Sequence, residues 1–248
     1  MALITTHALC LRKVDFSETS QILTLLTDRL GTTGAIAKGA KREKSSVGGP
    51  LDLMCLYQVV LYDRSRRGTL SILAQAELID FFPAVRRSFA AWQGAQQLRE
   101  LLLSMEVPPQ DGPSILLLAV KTMRTLGQGR DAEALARFAW SLLRVLGVEP
   151  QVTHCLASGR EPSGKVAVSF SLSEMGLLAP PFDENRGDLL RIAPATLSAL
   201  RILSTGQDSG STGVDAFEQA LRLLAWLVAQ QGGRRLKTVQ APDPASVL

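Results

Sequence analysis

Apolar positions along the chain recur with a period near two in the first third and a helical period thereafter. Between about residues 5 and 82, five runs alternate: Ala8-Leu-Cys-Leu11, Gln21-Ile-Leu-Thr-Leu-Leu26, Gly34-Ala-Ile-Ala37, Leu56-Tyr-Gln-Val-Val-Leu-Tyr62 and Leu70-Ser-Ile-Leu-Ala74. They predict five short strands. Breakers separate them: Asp28-Arg-Leu-Gly31, the stretch from Lys38 through Gly48-Gly-Pro50, and Asp63-Arg-Ser-Arg-Arg-Gly68, which reads as a basic hairpin tip. So many short strands in about 80 residues predict a small barrel.

From Pro83 the period changes. Val85, Phe89, Trp92, Leu98, Leu101 and Leu102 fall at helical spacing, and Pro83 suits a first helical turn. Residues 114–126 carry Ile115, Leu118, Ala119 and Met123. Asp131 is placed to cap a helix bearing Leu135, Phe138, Leu142, Val145 and Leu146, which Gly147 ends. These stripes read as core. Between 152 and 188, Gly159, Pro162, Gly164, Gly176, Pro180 and Pro181 break the period around a strand-like Lys165-Val-Ala-Val-Ser-Phe170, predicting a loop-rich insertion. Helices resume at 194–204 and 214–230, joined by a polar 206–213 linker expected to be mobile. The pattern predicts an α+β multidomain chain, with a barrel over 1–82 and a mostly helical domain over 83–248.

Composition narrows the function classes. With 248 residues, 46% of them hydrophobic, the chain can bury a sizeable core, and disorder is not its overall state. Three widely spaced cysteines, Cys10, Cys55 and Cys155, argue against a disulfide framework and for a reducing compartment, with the cytoplasm as the default. His7, Arg12, Lys13 and Asp15 interrupt any signal-peptide h-region, and no run approaches the roughly 18 apolar residues of a membrane span. The chain holds two histidines, His7 and His154, and lacks the nucleophile-elbow, phosphate-loop and dinucleotide signatures, so the expectation is that it is not an enzyme. Asp183 and Glu184, adjacent on a loop, are weak evidence for a site. His154 and Cys155 supply two donors where structural zinc takes four.

The net charge of +4 and the isoelectric point near 9.2 permit an anionic partner without identifying one. The local pattern is more informative. Lys38-Gly-Ala-Lys-Arg-Glu-Lys44 places four cations on one loop directly after a strand. Such spacing around a glycine suits a row of phosphates better than a single carboxylate, although a solvated turn is the competing reading. Lys38, Lys41, Arg42 and Lys44, with Arg12, Arg64, Arg66 and Arg67 at strand ends, form a candidate basic face that would track phosphates without reading sequence. Arg42 can fork two phosphate oxygens, whereas the lysines act as point charges. A face that neutralises both strands lowers their mutual repulsion and so favours annealing. Phe16, Tyr57 and Tyr62 could stack bases or fill the barrel core. The OB-fold is the commonest small barrel that handles single-stranded nucleic acid. Beside a DNA-binding role, two classes remain: a general RNA-binding OB protein, and a helical interaction scaffold with a structural barrel.

The residues resemble the bacterial recombination mediator family RecO over most of the chain. The likeness is carried by Asp15-Phe-Ser-Glu-Thr-Ser-Gln-Ile-Leu-Thr-Leu-Leu-Thr-Asp-Arg-Leu-Gly31, by Ala37-Lys-Gly-Ala-Lys-Arg42 with Ser45, by Thr69-Leu-Ser-Ile-Leu-Ala-Gln-Ala-Glu77, and by the basic tail Gly232-Gly-Arg-Arg-Leu-Lys-Thr238. The resemblance implies an N-terminal OB-fold, a helical C-terminal domain, binding of single- and double-stranded DNA, and annealing of complementary strands in repair and recombination. It adds Arg234, Arg235 and Lys237 to the candidate DNA contacts. It implies RecR and the acidic tail of single-stranded DNA-binding protein as partners, RecA as an indirect one, association with the nucleoid, and no cofactor. Arg86, Arg87, Arg99 and Lys121 are candidates for receiving the acidic tail. Many members carry two C-x-x-C pairs of a zinc ribbon in the insertion. Here the first reads Cys155-Leu-Ala-Ser158 and the second Ala179-Pro-Pro-Phe182, a degenerate site in which only Cys155 is retained. With one thiolate left, the insertion is expected to bind no metal and to be held by packing of Phe170, Leu177, Leu178 and Phe182.

Overall fold

The computed structural model describes residues 2–63, 69–180, 182–183, 188–210, 212–233 and 236. Its contacts divide into two compact units, Met1–Gly127 and Gln128–Leu248. The first holds strands β1 (Ala2–Asp15), β2 (Gln21–Thr27), β3 (Gly31–Ala37), β4 (Leu56–Asp63) and β5 (Ser71–Asp80), then helices α1 (Pro83–Arg87), α2 (Phe89–Leu103) and α3 (Gly112–Thr125).

The five strands close into a barrel in the order β1-β2-β3-β5-β4. All neighbours are antiparallel except β3 and β5, which run parallel. β1 is far longer than its alternating run 8–11 predicts, because closure requires it to serve two partners. Residues 2–9 pair with β4 and residues 8–15 with β2. A register shift between Cys10 and Arg12 accommodates the change, and Leu9, Cys10 and Leu11 are all buried there. Elsewhere the period of two holds: β3 alternates buried and half-buried positions, with Ala35 and Ala37 joining Leu23, Leu25, Val59, Leu61 and Leu73 inside. The 38–55 connection is pinned rather than loose. Val47 and Leu51 are buried, the Val47 carbonyl accepts from the Ala76 amide (2.8 Å), and the Leu51 amide donates to Gln21 Oε1 (3.2 Å).

The helical stripe after Pro83 is interrupted in the structure. Ser88 is extended, ends α1 and caps α2 by accepting from the Ala91 amide through Oγ (3.3 Å). The break leaves Phe89, placed in the core stripe by its spacing, 77% exposed. The helices join the barrel by close backbone approach. Gly31 has φ of +62°, and a Cβ there would lie 2.1 Å from the Val107 carbonyl oxygen. The Thr32 amide donates to that same oxygen (2.8 Å).

The second unit comprises α4 (Asp131–Val145), β6 (Gln151–Cys155), β7 (Val168–Ser171), β8 (Gly176–Leu178), β9 (Leu189–Ile192), α5 (Pro194–Thr205) and α6 (Val214–Gly232). Asp131 is the first residue of α4 rather than its cap; Arg130 occupies that position. The insertion is a four-stranded sheet in the order β6-β8-β7-β9. Phe170, Leu177 and Leu178 are buried in it as expected, but Phe182 is 46% exposed and holds nothing inside. Polar ties supply the remainder. Asp188 Oδ2 accepts from Ser171 Oγ (2.8 Å) and the Ser173 amide (3.3 Å), and Arg201 donates to the Val152 (3.2 Å) and Pro162 (3.0 Å) carbonyls. In the linker expected to be mobile, two residues are tied down: Ser209 is buried and accepts from Arg130, and the Gln207 carbonyl accepts from Arg137 (2.8 Å).

Candidate nucleic-acid interface

The β1–β2 turn and the basic loop form the two walls of one cleft. The turn folds on itself, with the Phe16 amide donating to the Ser20 carbonyl (3.0 Å) and the Ser20 amide to Ser17 Oγ (3.2 Å). It is then bonded to the loop: the Lys41 amide donates to the Thr19 carbonyl (3.1 Å) and the Gly39 amide to Ser20 Oγ (3.4 Å). Gly39 has φ of +67°, and its carbonyl accepts from the Arg42 amide (3.1 Å), closing the turn that carries the cations.

The cleft has a volume of about 310 Å³. Lys38, Arg42 and Lys44 line it with Phe16, Ile36 and the hydroxyls of Ser17, Thr19, Ser20 and Ser46. No described lining residue is acidic, and none of the three cations makes an ion pair with a described residue. The fourth loop cation behaves differently. Lys41 Nζ lies 2.6 Å from Asp15 Oδ2, and the hydrogen bond from Lys41 holds the Asp15 carboxyl below its ordinary range. Lys41 thus already has a carboxylate partner. Lys13 is likewise committed, to Asp52 at 2.7 Å.

Of the remaining predicted contacts, Arg12 is exposed on β1 opposite Thr24 and does not line the cleft. Arg64, Arg66, Arg67, Arg234, Arg235 and Lys237 lie outside the described residues. Among the aromatics, Tyr57 is buried: its Oη accepts from the Asp52 amide (2.8 Å), and burial pushes its pKa up. Phe16 and Tyr62 are exposed. The hydroxyls of Ser17, Thr19, Ser20 and Ser46 are not among the contacts the sequence predicts; their one signal there is a polar segment between two strands. Arg86 and Arg99 are occupied within their own unit. Arg86 donates to the Leu53 carbonyl (2.7 Å) and stacks over Trp92, while Arg99 donates to Gln96 Oε1 (2.8 Å) and the Leu11 carbonyl (3.4 Å). Arg87 and Lys121 are exposed.

In the insertion, Ser158, Ala179 and Phe182 line a second cleft of about 430 Å³ with Arg160, Glu161 and Pro162. Cys155 Sγ beside them accepts from the Ala179 amide (3.3 Å). Burial raises the thiol pKa, but hydrogen bonds from the Ser158 hydroxyl and the amides of Ala179, Ser158 and Ala157 outweigh it, leaving the thiol at about 7. One thiolate, one hydroxyl, a methyl and a phenyl ring do not make a zinc donor set.

Among the described residues no helix is long and apolar enough to cross a membrane. Residues 1–82 match the family model "Recombination protein O N terminal" and residues 86–240 match "Recombination protein O C terminal". Among curated relatives, a protein from Rhodopirellula baltica named DNA repair protein RecO is 31% identical over 211 residues, covering 84% of this chain and 78% of its own length. One of the same name from Synechococcus sp. (strain JA-3-3Ab) is 30% identical over 243 residues, covering 93% of this chain and 78% of its own. A third, from Anaeromyxobacter sp. (strain K), is 32% identical over 200 residues, covering 79% and 77%. With two matching models spanning nearly its whole length, the chain belongs to the recombination protein O family of DNA repair and recombination proteins.

Proposed function

We propose that the chain is a DNA-binding recombination mediator whose barrel grips phosphates through Lys38, Arg42 and Lys44. The observation that carries this reading is the acid-free cleft lined by three cations with no described ion pair. A substrate carboxylate needs one such cation; a polyanion uses a row of them. The barrel is read as an OB-fold, supported by its strand order and by the place of the cleft beside the β1–β2 turn and β3. Residues 1–82 are its nucleic-acid-binding part and 83–248 its helical part, carrying a degenerate zinc ribbon. Arg12, Arg64, Arg66, Arg67, Arg234, Arg235 and Lys237 extend the contact to a second strand or a duplex, and neutralising both strands lets them anneal.

In this reading the chain acts with RecR on strands coated by single-stranded DNA-binding protein, receives that protein's acidic tail, and helps load RecA, working at the nucleoid without a cofactor. Family membership supports these partners. The test is annealing of complementary strands coated with single-stranded DNA-binding protein. The wild-type chain accelerates it, and Lys38→Ala/Arg42→Ala/Lys44→Ala loses most of the acceleration. Equal annealing by the two would overturn the reading, and acceleration confined to RNA strands would reassign the barrel to RNA.

A further inference from the structure

The hydroxyls that line the basic cleft are not equivalent. Ser17 Oγ accepts from the Ser20 amide (3.2 Å) and Ser20 Oγ from the Gly39 amide (3.4 Å), so both serve the β1–β2 turn and its joint with the loop. Thr19 is half-buried on that turn, its carbonyl taken by the Lys41 amide (3.1 Å). Ser46 stands on the basic loop itself. It is exposed, and its hydroxyl bonds to no described residue. The backbone beyond it is fixed: Val47 is buried, its amide donates to Ser45 Oγ (3.2 Å), and its carbonyl accepts from the Ala76 amide (2.8 Å). Ser46 is therefore held at the cleft with a free hydroxyl.

Lys38, Arg42 and Lys44 share with Ser46 a cavity of about 310 Å³, small enough for one phosphate to face all three. A Cβ on Gly39 would lie 3.4 Å from Arg42 Cδ and 3.5 Å from its Nε, so the arginine stem lies back across the turn. A phosphate on Ser46 brings about two negative charges and three acceptor oxygens, which Arg42 can fork and the lysines can meet as point charges. The same cations mark the segment for an enzyme that adds one. Arg42 and Lys44 shortly precede Ser46 in a stretch, 41–46, that is neither helix nor strand and is exposed or half-buried throughout, so an acidic substrate groove can take it.

Resting on the phosphate grip above, we propose that Ser46 is a phosphorylation site that switches the grip off, modified by an ATP-dependent serine kinase with an acidic substrate groove. Ser46 Oγ attacks the γ-phosphorus of ATP. The Oγ–P bond forms as the bond to the bridging oxygen breaks, ADP leaves, and the hydroxyl proton passes to the kinase's base. The product occupies the cations that a DNA phosphate would use. Three positive charges less about two leave the cleft at about +1, so binding weakens for single strands and duplexes alike. A phosphatase restores the grip by passing the phosphoryl group to water, which releases inorganic phosphate.

The test compares the unmodified full chain with one carrying phosphoserine at position 46, installed during translation, by titration with a labelled single strand and a duplex. The phosphorylated chain binds both about tenfold or more weakly, its salt slope on the single strand is lower by about 1.4, and phosphatase treatment restores both values. Phosphoserine installed instead at exposed Ser198, on α5 of the second unit, leaves affinity and slope unchanged. Equal affinity of the unmodified chain and the chain phosphorylated at Ser46 would overturn the switch. So would an equal loss from phosphate at Ser198, which would make the effect one of net charge. Occurrence is read by mass spectrometry of the chain taken from its own cells, during growth and after DNA damage. Phosphate on Ser46 in either state is expected, and none in both would overturn the site. The Lys38→Ala/Arg42→Ala/Lys44→Ala variant separates switch from grip: if it weakens DNA binding while phosphate at Ser46 does not, the switch alone fails. If it leaves binding unchanged, the grip fails.

Discussion

At the scale of residues, the four loop cations are not equivalent, because Asp15 claims one of them. Charge is visible in a sequence; its neutralisation by a partner across a turn is not, since it depends on the bonds that seat the 16–20 turn against the loop. Arg42→Ala is predicted to lower the salt slope of single-strand affinity by about 0.7, and Lys41→Ala by much less. Asp15→Asn should strengthen binding by releasing Lys41, which a salt titration of all three variants checks. The Asp15 carboxyl is held below its ordinary range, so the pair persists above that range and is lost only as pH falls through the lowered value. Cys155 gives a second pH signature. Its folded-state pKa of about 7 lies below the ordinary thiol value, so its contribution to stability is lost as pH falls through about 7 and is complete above the ordinary thiol range. Urea midpoints measured from pH 7 upward should rise in the wild type relative to Cys155→Ala; parallel profiles would contradict the amide cradle around the sulfur.

At the scale of elements, the strands were legible where alternation is clean, as in β3, and hidden where closure overrides it. β1 pairs on both sides and buries three residues in succession at its register shift, so the alternating signal marks only part of it. The break at Ser88 was concealed by a helical period that runs across it, and Phe89 consequently lies outside the core. In the insertion the strand-like run 165–170 marks β7, whereas β8 and β9, only three and four residues long, carry too short an alternation to stand out among the breakers. Two substitutions test the joints. Gly31→Ala combines a positive φ with a collision against the Val107 carbonyl and is predicted to cost more than about 1 kcal/mol by thermal or urea unfolding. Asp188 lies at about 2 because the hydroxyls of Ser173 and Ser171 hydrogen-bond to its carboxylate, so Asp188→Ala should loosen the insertion, seen as faster amide exchange in β7 and β9.

At the scale of the whole molecule, the change of period after Pro83 marks a change of structure class, while the contacts divide the chain after Gly127. Helices α1–α3 are bound to the barrel by groups that periodicity does not report: the Val107 carbonyl, the Arg86 guanidinium at Leu53 and the Arg99 guanidinium at Leu11. A fragment of residues 1–127 is therefore predicted to fold cooperatively and bind single-stranded DNA, and a fragment of 1–82 to unfold at markedly lower denaturant, as circular dichroism on both would show. The candidate site was legible as a run of cations; its opposite wall of hydroxyls and Phe16 was not, because it comes from another loop. The most direct test of the phosphate grip is the salt dependence of single-strand affinity for the full chain and for Lys38→Ala/Arg42→Ala/Lys44→Ala. The grip predicts that the slope of log affinity against log salt falls by about 2 in the variant; an unchanged slope and affinity would contradict it.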